Sequence, residues 1–286
     1  MDHTFLNWIY WNPNPDIFTL PFLDKPVRWY GFLFVTGIMI SYLIVKKLFA
    51  RDLHKGGLVN EKECAKESLV LTDRLTWFVV IGLLIGARLG HVFFYDWARY
   101  QNHPLEILKV WEGGLASHGG AIGILLALYF FLKTTKKRYP TLTFLSMLDL
   151  LVIPSALVGS FIRLGNFFNQ EILGTPSTLP WAVVFGHPAD GSRPEPRHPV
   201  QLYEGIAYLL LFFLLICLWK YRSSWCKTGR IGGLFLVLAF SFRFLLEFFK
   251  APMDAVVDQS FLQMGQLLSL PFIGAGLFLL VRPTKN

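Results

Sequence analysis

Apolar residues run for a full helix length seven times along the chain, and polar residues collect between the runs. The windows are Tyr30–Phe49, Leu75–Tyr95, Leu115–Leu132, Phe144–Leu164, Leu202–Trp219, Ile231–Phe249 and Phe261–Val281. Each comes close to the roughly 20 apolar residues that carry a helix across a ~30 Å hydrocarbon layer. Backbone groups in lipid must pair within their own segment, so each window predicts a helix. The expected fold is all-α: a polytopic integral membrane protein with seven transmembrane helices, forming a single membrane domain over residues 1–286. The loop 165–200 between the fourth and fifth spans is long for a structureless connection. It carries Gly174, Pro176, Pro180 and Trp181, then Gly191-Ser192-Arg193-Pro194-Glu195-Pro196. It therefore predicts a small ordered head with a mobile Pro-rich segment. The segment 46–74 reads as a solvated loop of mixed charge. No internal repeat is visible, and residues 1–27, with Asp2, Asp16 and Asp24, lack the apolar core of a cleavable signal peptide.

Composition supports the membrane reading. The chain is 53% hydrophobic and only 16% charged, where soluble domains hold about 25% charged residues. A net charge of +8 would suggest nucleic acid in a soluble protein, but membrane proteins gather Lys and Arg in cytoplasmic loops, so no nucleic-acid partner is expected. Of 27 such residues, 17 lie in segments 46–74, 133–143, 220–230 and the tail from 282, against seven in the alternate set. That bias predicts an N-terminus outside, a cytoplasmic C-terminus, and an extracytoplasmic head. Cys64, Cys217 and Cys226 have no metal-type spacing, and neither a disulfide framework nor a cysteine nucleophile is expected.

The three remaining cations, Arg88, Arg163 and Arg243, sit inside the second, fourth and sixth apolar windows. An arginine at mid-membrane costs about 2.5–3.5 kcal/mol on insertion scales. Three of them, all placed by their helix positions in the outer half of the layer, point to an anion held there. Two blander readings stand beside this one. Arg163 is near enough to its span's end to snorkel, and Arg243 has Glu247 at i+4 for an internal pair. Other polar groups gather at the same level. His118 opens the third span beside Gly119 and Gly120, which let a ligand or another backbone come close. Asn166, Asn169, Gln170 and Glu171 follow Arg163. Arg28, Trp29 and Tyr30 open the first span, where Trp29 fits an ordinary interfacial aromatic belt. His198-Pro199-Val200-Gln201-Leu202-Tyr203-Glu204 opens the fifth, with Pro199 as a helix start and Gln201 and Glu204 on one face. Asp149, a lone acid in the fourth span, is either interfacial or paired within the bundle.

These segments resemble the bacterial prolipoprotein diacylglyceryl transferases. The matching stretches are Arg28-Trp29-Tyr30-Gly31, Gly86-Ala87-Arg88-Leu89-Gly90, Trp111-Glu112-Gly113-Gly114 through Gly120, and Arg163-Leu164-Gly165-Asn166-Phe167 leading to Glu171 and Gly174. They continue with the His198–Glu204 stretch, Arg243 through Phe249, and Met264-Gly265-Gln266. They occur in the family's order from the first span to the last. The resemblance implies seven helices, a location in the bacterial inner membrane, and an active site on the extracytoplasmic side. It also implies transfer of a diacylglyceryl group from phosphatidylglycerol to the lipobox cysteine of a prolipoprotein signal peptide. A thioether forms and glycerol phosphate leaves. Two departures stand out: Ile162 replaces the usual glycine before the arginine, and Ala239 stands where the family commonly has a functional tyrosine, whose hydroxyl is here dispensable or supplied by another group.

On this reading Arg163 and Arg243 hold the donor headgroup and its developing charge, since a guanidinium is always charged and forks onto phosphate oxygens. Glu247 orients Arg243, and Arg88 belongs to the same pocket. His118 deprotonates or orients the thiol, which attacks as thiolate; alternatively the arginines lower the thiol pKa and His118 only binds. Tyr30, Gly119, Gly120, Asn166, Glu171, Gln201 and Tyr203 position headgroup or peptide. No metal or other cofactor is expected, because neither a zinc spacing nor a phosphate-cradling glycine loop is present. An organic-anion transporter would use the same arginines but continue its polar path inward, where only Asp149 lies. Another lipid-modifying transferase is the second rival, and a non-catalytic scaffold, which leaves the three arginines unexplained, is the third.

Overall fold

A computed structural model describes residues 8–21, 24–55, 60–110, 113–221, 228–251 and 262–283. Trp111, Glu112, Cys226 and Phe261 lie outside them. All seven expected helices form: α1 (Trp29–Lys55), α2 (Glu61–Phe94), α4 (Ser117–Thr135), α5 (Phe144–Phe168), α6 (Val200–Tyr221), α7 (Arg230–Leu246) and α8 (Met264–Val281), with a short α3 (Trp97–Asn102) between the second and third spans. Each of the seven is long and apolar enough to cross a membrane. This is a multi-pass membrane protein.

The segment 46–74 is largely helical rather than a loop. α1 runs on to Lys55 and α2 begins at Glu61. The Asn60 side chain accepts from the Lys62 amide, and Glu61 and Glu63 occupy the first turn, so cap and helix dipole both extend α2 into polar sequence.

Five short strands among the described residues were also not expected. β1 (Ile9–Trp11) pairs in parallel with β4 (Val183–Phe185), which pairs antiparallel with β5 (Pro196–Arg197). β2 (Asp16–Leu20) and β3 (Lys25–Arg28) form a separate hairpin. The head thus takes in the N-terminal segment as well as residues 165–200. Its small core is Phe167, Leu173, Val183 and Phe185, flanked by Trp11 and Leu202.

The chain divides into two compact units. Residues 42–147 form one. There α2 and α4 cross so closely that a Cβ on Gly119 would collide with the Gly86 carbonyl, a contact of the small-residue kind that packs helices in lipid. At the other end of these helices Glu67 accepts from Arg138 and from the Tyr139 hydroxyl. Burial, and then the Glu67 carboxylate, push the Tyr139 phenol up to about 12.

Residues 1–41 and 148–286 form the other unit, containing the head and α5 to α8. Asp149 is paired within it. Its buried carboxylate accepts from the backbone amides of Gly229 (2.6 Å) and Gly232 (2.7 Å), capping the start of α7 from a neighbouring helix. Gly229 turns into α7 at φ 94°, a conformation that favours glycine. Asp149→Ala should destabilise the protein by about 0.5–2 kcal/mol, the usual cost of losing an N-cap. Thermal unfolding in detergent measures this, and an unshifted transition would remove the capping role.

Candidate active site

The candidate site is built at the C-terminal end of α5 by the chain's own sharp turn. α5 stops at Phe168, and Gln170 (φ 51°) and Ile172 (φ 57°) take left-handed backbone, which costs a non-glycine residue about 1–3 kcal/mol. The Gln170 side chain holds the turn, accepting from the His187 amide (2.8 Å) and donating to Asn12 Oδ1 (3.4 Å). The reversal folds Glu171 back over the helix end, where its Oε1 accepts from Asn166 (2.7 Å) and Asn169 (3.2 Å). Gln201, fully buried at the start of α6, donates to the Glu171 carbonyl (2.7 Å). Asn166 in turn accepts from Arg163 Nη1 (3.2 Å). The i, i+3 spacing of Arg163 and Asn166 thus becomes one hydrogen-bonded row.

Arg163 continues into an ion-pair network. Its Nε lies 2.7 Å from Glu204 Oε2, and Lys250 Nζ lies 2.9 Å from Glu204 Oε1 and 3.1 Å from Glu247 Oε2. Glu204 is 2% exposed and Lys250 7%, so solvent screens these contacts little. The expected Arg243–Glu247 pair is not made, and the reason is local geometry. α7 ends at Leu246, and Glu247–Phe249 form a 3-10 turn. Residues three apart eclipse in that geometry, which brings Lys250 rather than Arg243 to Glu247. Gly265 of α8 packs against the same carboxylate, where a Cβ would strike it.

Among the described residues, Arg243 makes no ion pair or side-chain hydrogen bond, while Arg163, Lys250, Glu204 and Glu247 cancel one another. Arg243 instead lines a cavity of about 410 Å³ at α6 and α7. Glu204 and Tyr208 share the lining with Arg243, whereas Leu210, Leu211, Leu214 and Leu238 make much of the rest apolar. Ala239 lines it too. The space suits a ligand with one anionic group and a long apolar part.

The other anticipated residues fall as follows. The Tyr30 ring packs on Gly165, where a Cβ would lie 2.8 Å from it, and the phenol feels the charges of Glu171 and Arg163. Tyr203 sits in the head, its hydroxyl accepting from Trp181 Nε1 (2.8 Å) and lying 3.3 Å from His198 Nδ1. Trp29 stacks on Phe168 (ring centroids 5.0 Å apart).

In the unit of residues 42–147, Arg88 is buried and braces a loop. It donates to the carbonyls of Glu106 (2.5 Å), Ile107 (2.9 Å), Gly113 (2.6 Å) and Gly114 (3.3 Å), and its Cζ is 5.1 Å from the Tyr100 ring centre. Beside it the bonded Arg99 guanidinium holds the Glu106 carboxyl below its ordinary range. His118, at the start of α4, meets the rings of Phe94 and Tyr95 at 5.5 and 5.6 Å. Of the two approaches that Gly119 and Gly120 allow, the one observed is that of α2: the Gly86 backbone against Gly119 and the Leu83 side chain against Gly120.

Sequence reasoning assigned no role to three participants. Glu204, an acid just inside an apolar run and i+3 from Gln201, was visible as an oddity. Tyr208 is i+4 from Glu204 on the same face of α6. Lys250 stood out only as a cation in the sparsely charged set of loops.

Fold and cavity together define the class: a multi-pass helical membrane protein with a buried ion-pair network and an amphipathic cavity that presents a spare guanidinium. Comparison with known sequences narrows this. A model of the prolipoprotein diacylglyceryl transferase family matches residues 15–282. Three relatives, each named phosphatidylglycerol–prolipoprotein diacylglyceryl transferase, align over almost the whole chain. The Protochlamydia amoebophila protein is 44% identical, over 97% of this chain and 95% of its own. That of Tolumonas auensis is 40% identical, over 97% and 98%, and that of Chloroherpeton thalassium 38%, over 98% and 96%. The chain belongs to the prolipoprotein diacylglyceryl transferase family.

Proposed function

We propose that this protein moves the diacylglyceryl group of phosphatidylglycerol onto the lipobox cysteine of a prolipoprotein, as the first step of lipoprotein maturation. The observation that carries the reading is Arg243, a cation without a described counterion on the wall of an otherwise largely apolar cavity. The acyl part of the donor lies along the leucines, and its phosphate meets Arg243. The cysteine thiolate attacks the diacylglycerol carbon bonded to the phosphate oxygen. A carbon–sulfur bond forms, the carbon–oxygen bond breaks, and its electron pair stays on the phosphate of the departing glycerol phosphate. The added negative charge is what Arg243 stabilises, and Arg163, fixed by Glu204 and Asn166, supports it from the ion-pair network. Tyr30, Asn166, Glu171, Gln201 and Tyr203 shape the headgroup and peptide side. His118 takes the thiol proton or binds the thiol; its assignment rests on the motif alone. Arg88 and the glycines of α4 serve packing in this scheme.

The proposal places the protein in the bacterial inner membrane as one membrane domain, with its N-terminus and head outside and its C-terminus in the cytoplasm. The excess of Lys and Arg in the opposite loops supports that orientation.

The test is direct. Purified protein with phosphatidylglycerol and a lipobox peptide should add the mass of one diacylglyceryl group to the peptide, and none when serine replaces its cysteine. His118→Ala should slow the reaction by about 10²-fold or more. No mass gain by the wild-type protein, or gain on the serine peptide, overturns the assignment.

A further inference from the structure

One polar group on the cavity wall has no part in the scheme above. Tyr208 stands one helical turn beyond Glu204 on α6, so the two share a face. It lines the cavity with Arg243 and Ala239. Its ring lies against Gly159 of α5, where a Cβ would come within 3.3 Å of it, and this packing fixes where the phenol points. Its hydroxyl interacts with the Arg163 guanidinium, and Glu204 and Arg243 complete its charged surroundings.

The direction of that interaction matters. A guanidinium only donates, whereas a phenol both donates and accepts. The Tyr208 oxygen must therefore be the acceptor from Arg163, and its own O–H is left to donate. Among the described residues no acceptor takes that hydrogen. Donation from a cation also strengthens the donor beyond it, since hydrogen bonds in a chain polarise one another.

We propose that Tyr208 is a catalytic hydrogen-bond donor to the phosphate oxygen that leaves the glycerol carbon, polarised by Arg163. This rests on the transfer reading above and adds a residue to it. As the carbon–oxygen bond breaks, charge builds on that oxygen, and a preplaced neutral donor in a largely apolar cavity stabilises it more than it stabilises the intact diester. No proton need leave the phenol. Ala239 supplies the control, because it lines the same cavity from α7 with a small side chain and so offers a second place from which a phenol reaches that space.

Kinetics of the full-length protein in detergent, with phosphatidylglycerol and a lipobox peptide, test this. Tyr208→Phe keeps the ring and removes only the hydroxyl. Its kcat should fall about 10²-fold, as when one donor to a developing oxyanion is lost. Its KM for phosphatidylglycerol should change little, and its Tm should stay at the wild-type value. Tyr208→Phe/Ala239→Tyr should regain at least a tenth of wild-type kcat. If Tyr208→Phe proves too poorly folded to assay, difluorotyrosine at 208 keeps the packing and lowers the phenol pKa. The rate should then fall as pH rises through that lower pKa, and a flat profile overturns the role. So do a Tyr208→Phe kcat within twofold of wild type, or a loss that disappears when rates are expressed per folded molecule. A wild-type protein without transfer activity sinks the transfer reading and this inference together. An active wild type equalled by Tyr208→Phe sinks the inference alone.

Discussion

Arg243→Ala is expected to reduce kcat by about 10²–10³-fold, corresponding to about 2.7–4 kcal/mol of lost transition-state stabilisation, while leaving the folded protein intact. Both halves follow from one fact: the guanidinium lines a cavity and no described carboxylate pairs with it. Removing it strands no buried partner, so the fold loses only packing around the arginine stem. On the proposed reading, the reaction loses a cation that has no described counterion and lies beside the developing phosphate charge. Arg243→Lys should recover part of the rate, because an ammonium restores the charge but cannot fork onto two oxygens. The measurement is turnover per folded molecule, with Tm recorded in parallel. Near-wild-type turnover by the alanine variant would show that the phosphate is held elsewhere.

Glu204→Ala should produce the opposite pattern. This carboxylate is 2% exposed and neutralises both Arg163, at 2.7 Å, and Lys250, at 2.9 Å. Deleting it leaves two partly or fully buried cations facing each other with only Glu247 to share. Breaking a buried ion pair by removing one partner costs about 3–5 kcal/mol, a large part of the ~5–15 kcal/mol that holds a domain folded. The expected result is a marked fall in Tm and yield, with activity lost because the fold is lost. Glu204→Gln should behave similarly, since it keeps the volume but not the charge. A Glu204→Ala protein with wild-type Tm would mean that the network contributes nothing to stability.

Much of this site could be anticipated from local spacing. Arg163, Asn166 and Glu171 lie within one helix end and the turn after it, and the row they form needs only α-helical geometry plus a reversal. Arg243 stood out as a charge in an apolar run. Its partner was misjudged, because i+4 spacing assumes an α-helix that continues, and here a 3-10 turn at Glu247 hands the carboxylate to Lys250. Arg88 looked the same as Arg163 and Arg243 in sequence, yet its donors all meet carbonyls of one loop. No side-chain pattern announces such an arrangement, since backbone acceptors are common to every residue. The strands escaped notice for a related reason. β1 is three residues long, too short to display alternation, and it pairs with β4 at the far side of five helices in sequence.

Sequence by itself determined the seven spans and the family, because hydrophobic run length and motif order are read within a few neighbouring residues. Tertiary structure alone decided that Arg88 is bonded to carbonyls and Arg163 to Glu204, while Arg243 lines a cavity with no described counterion. Counterions arrive from helices distant in the chain, and a buried charge is satisfied or available according to what packing brings within about 3–4 Å of it.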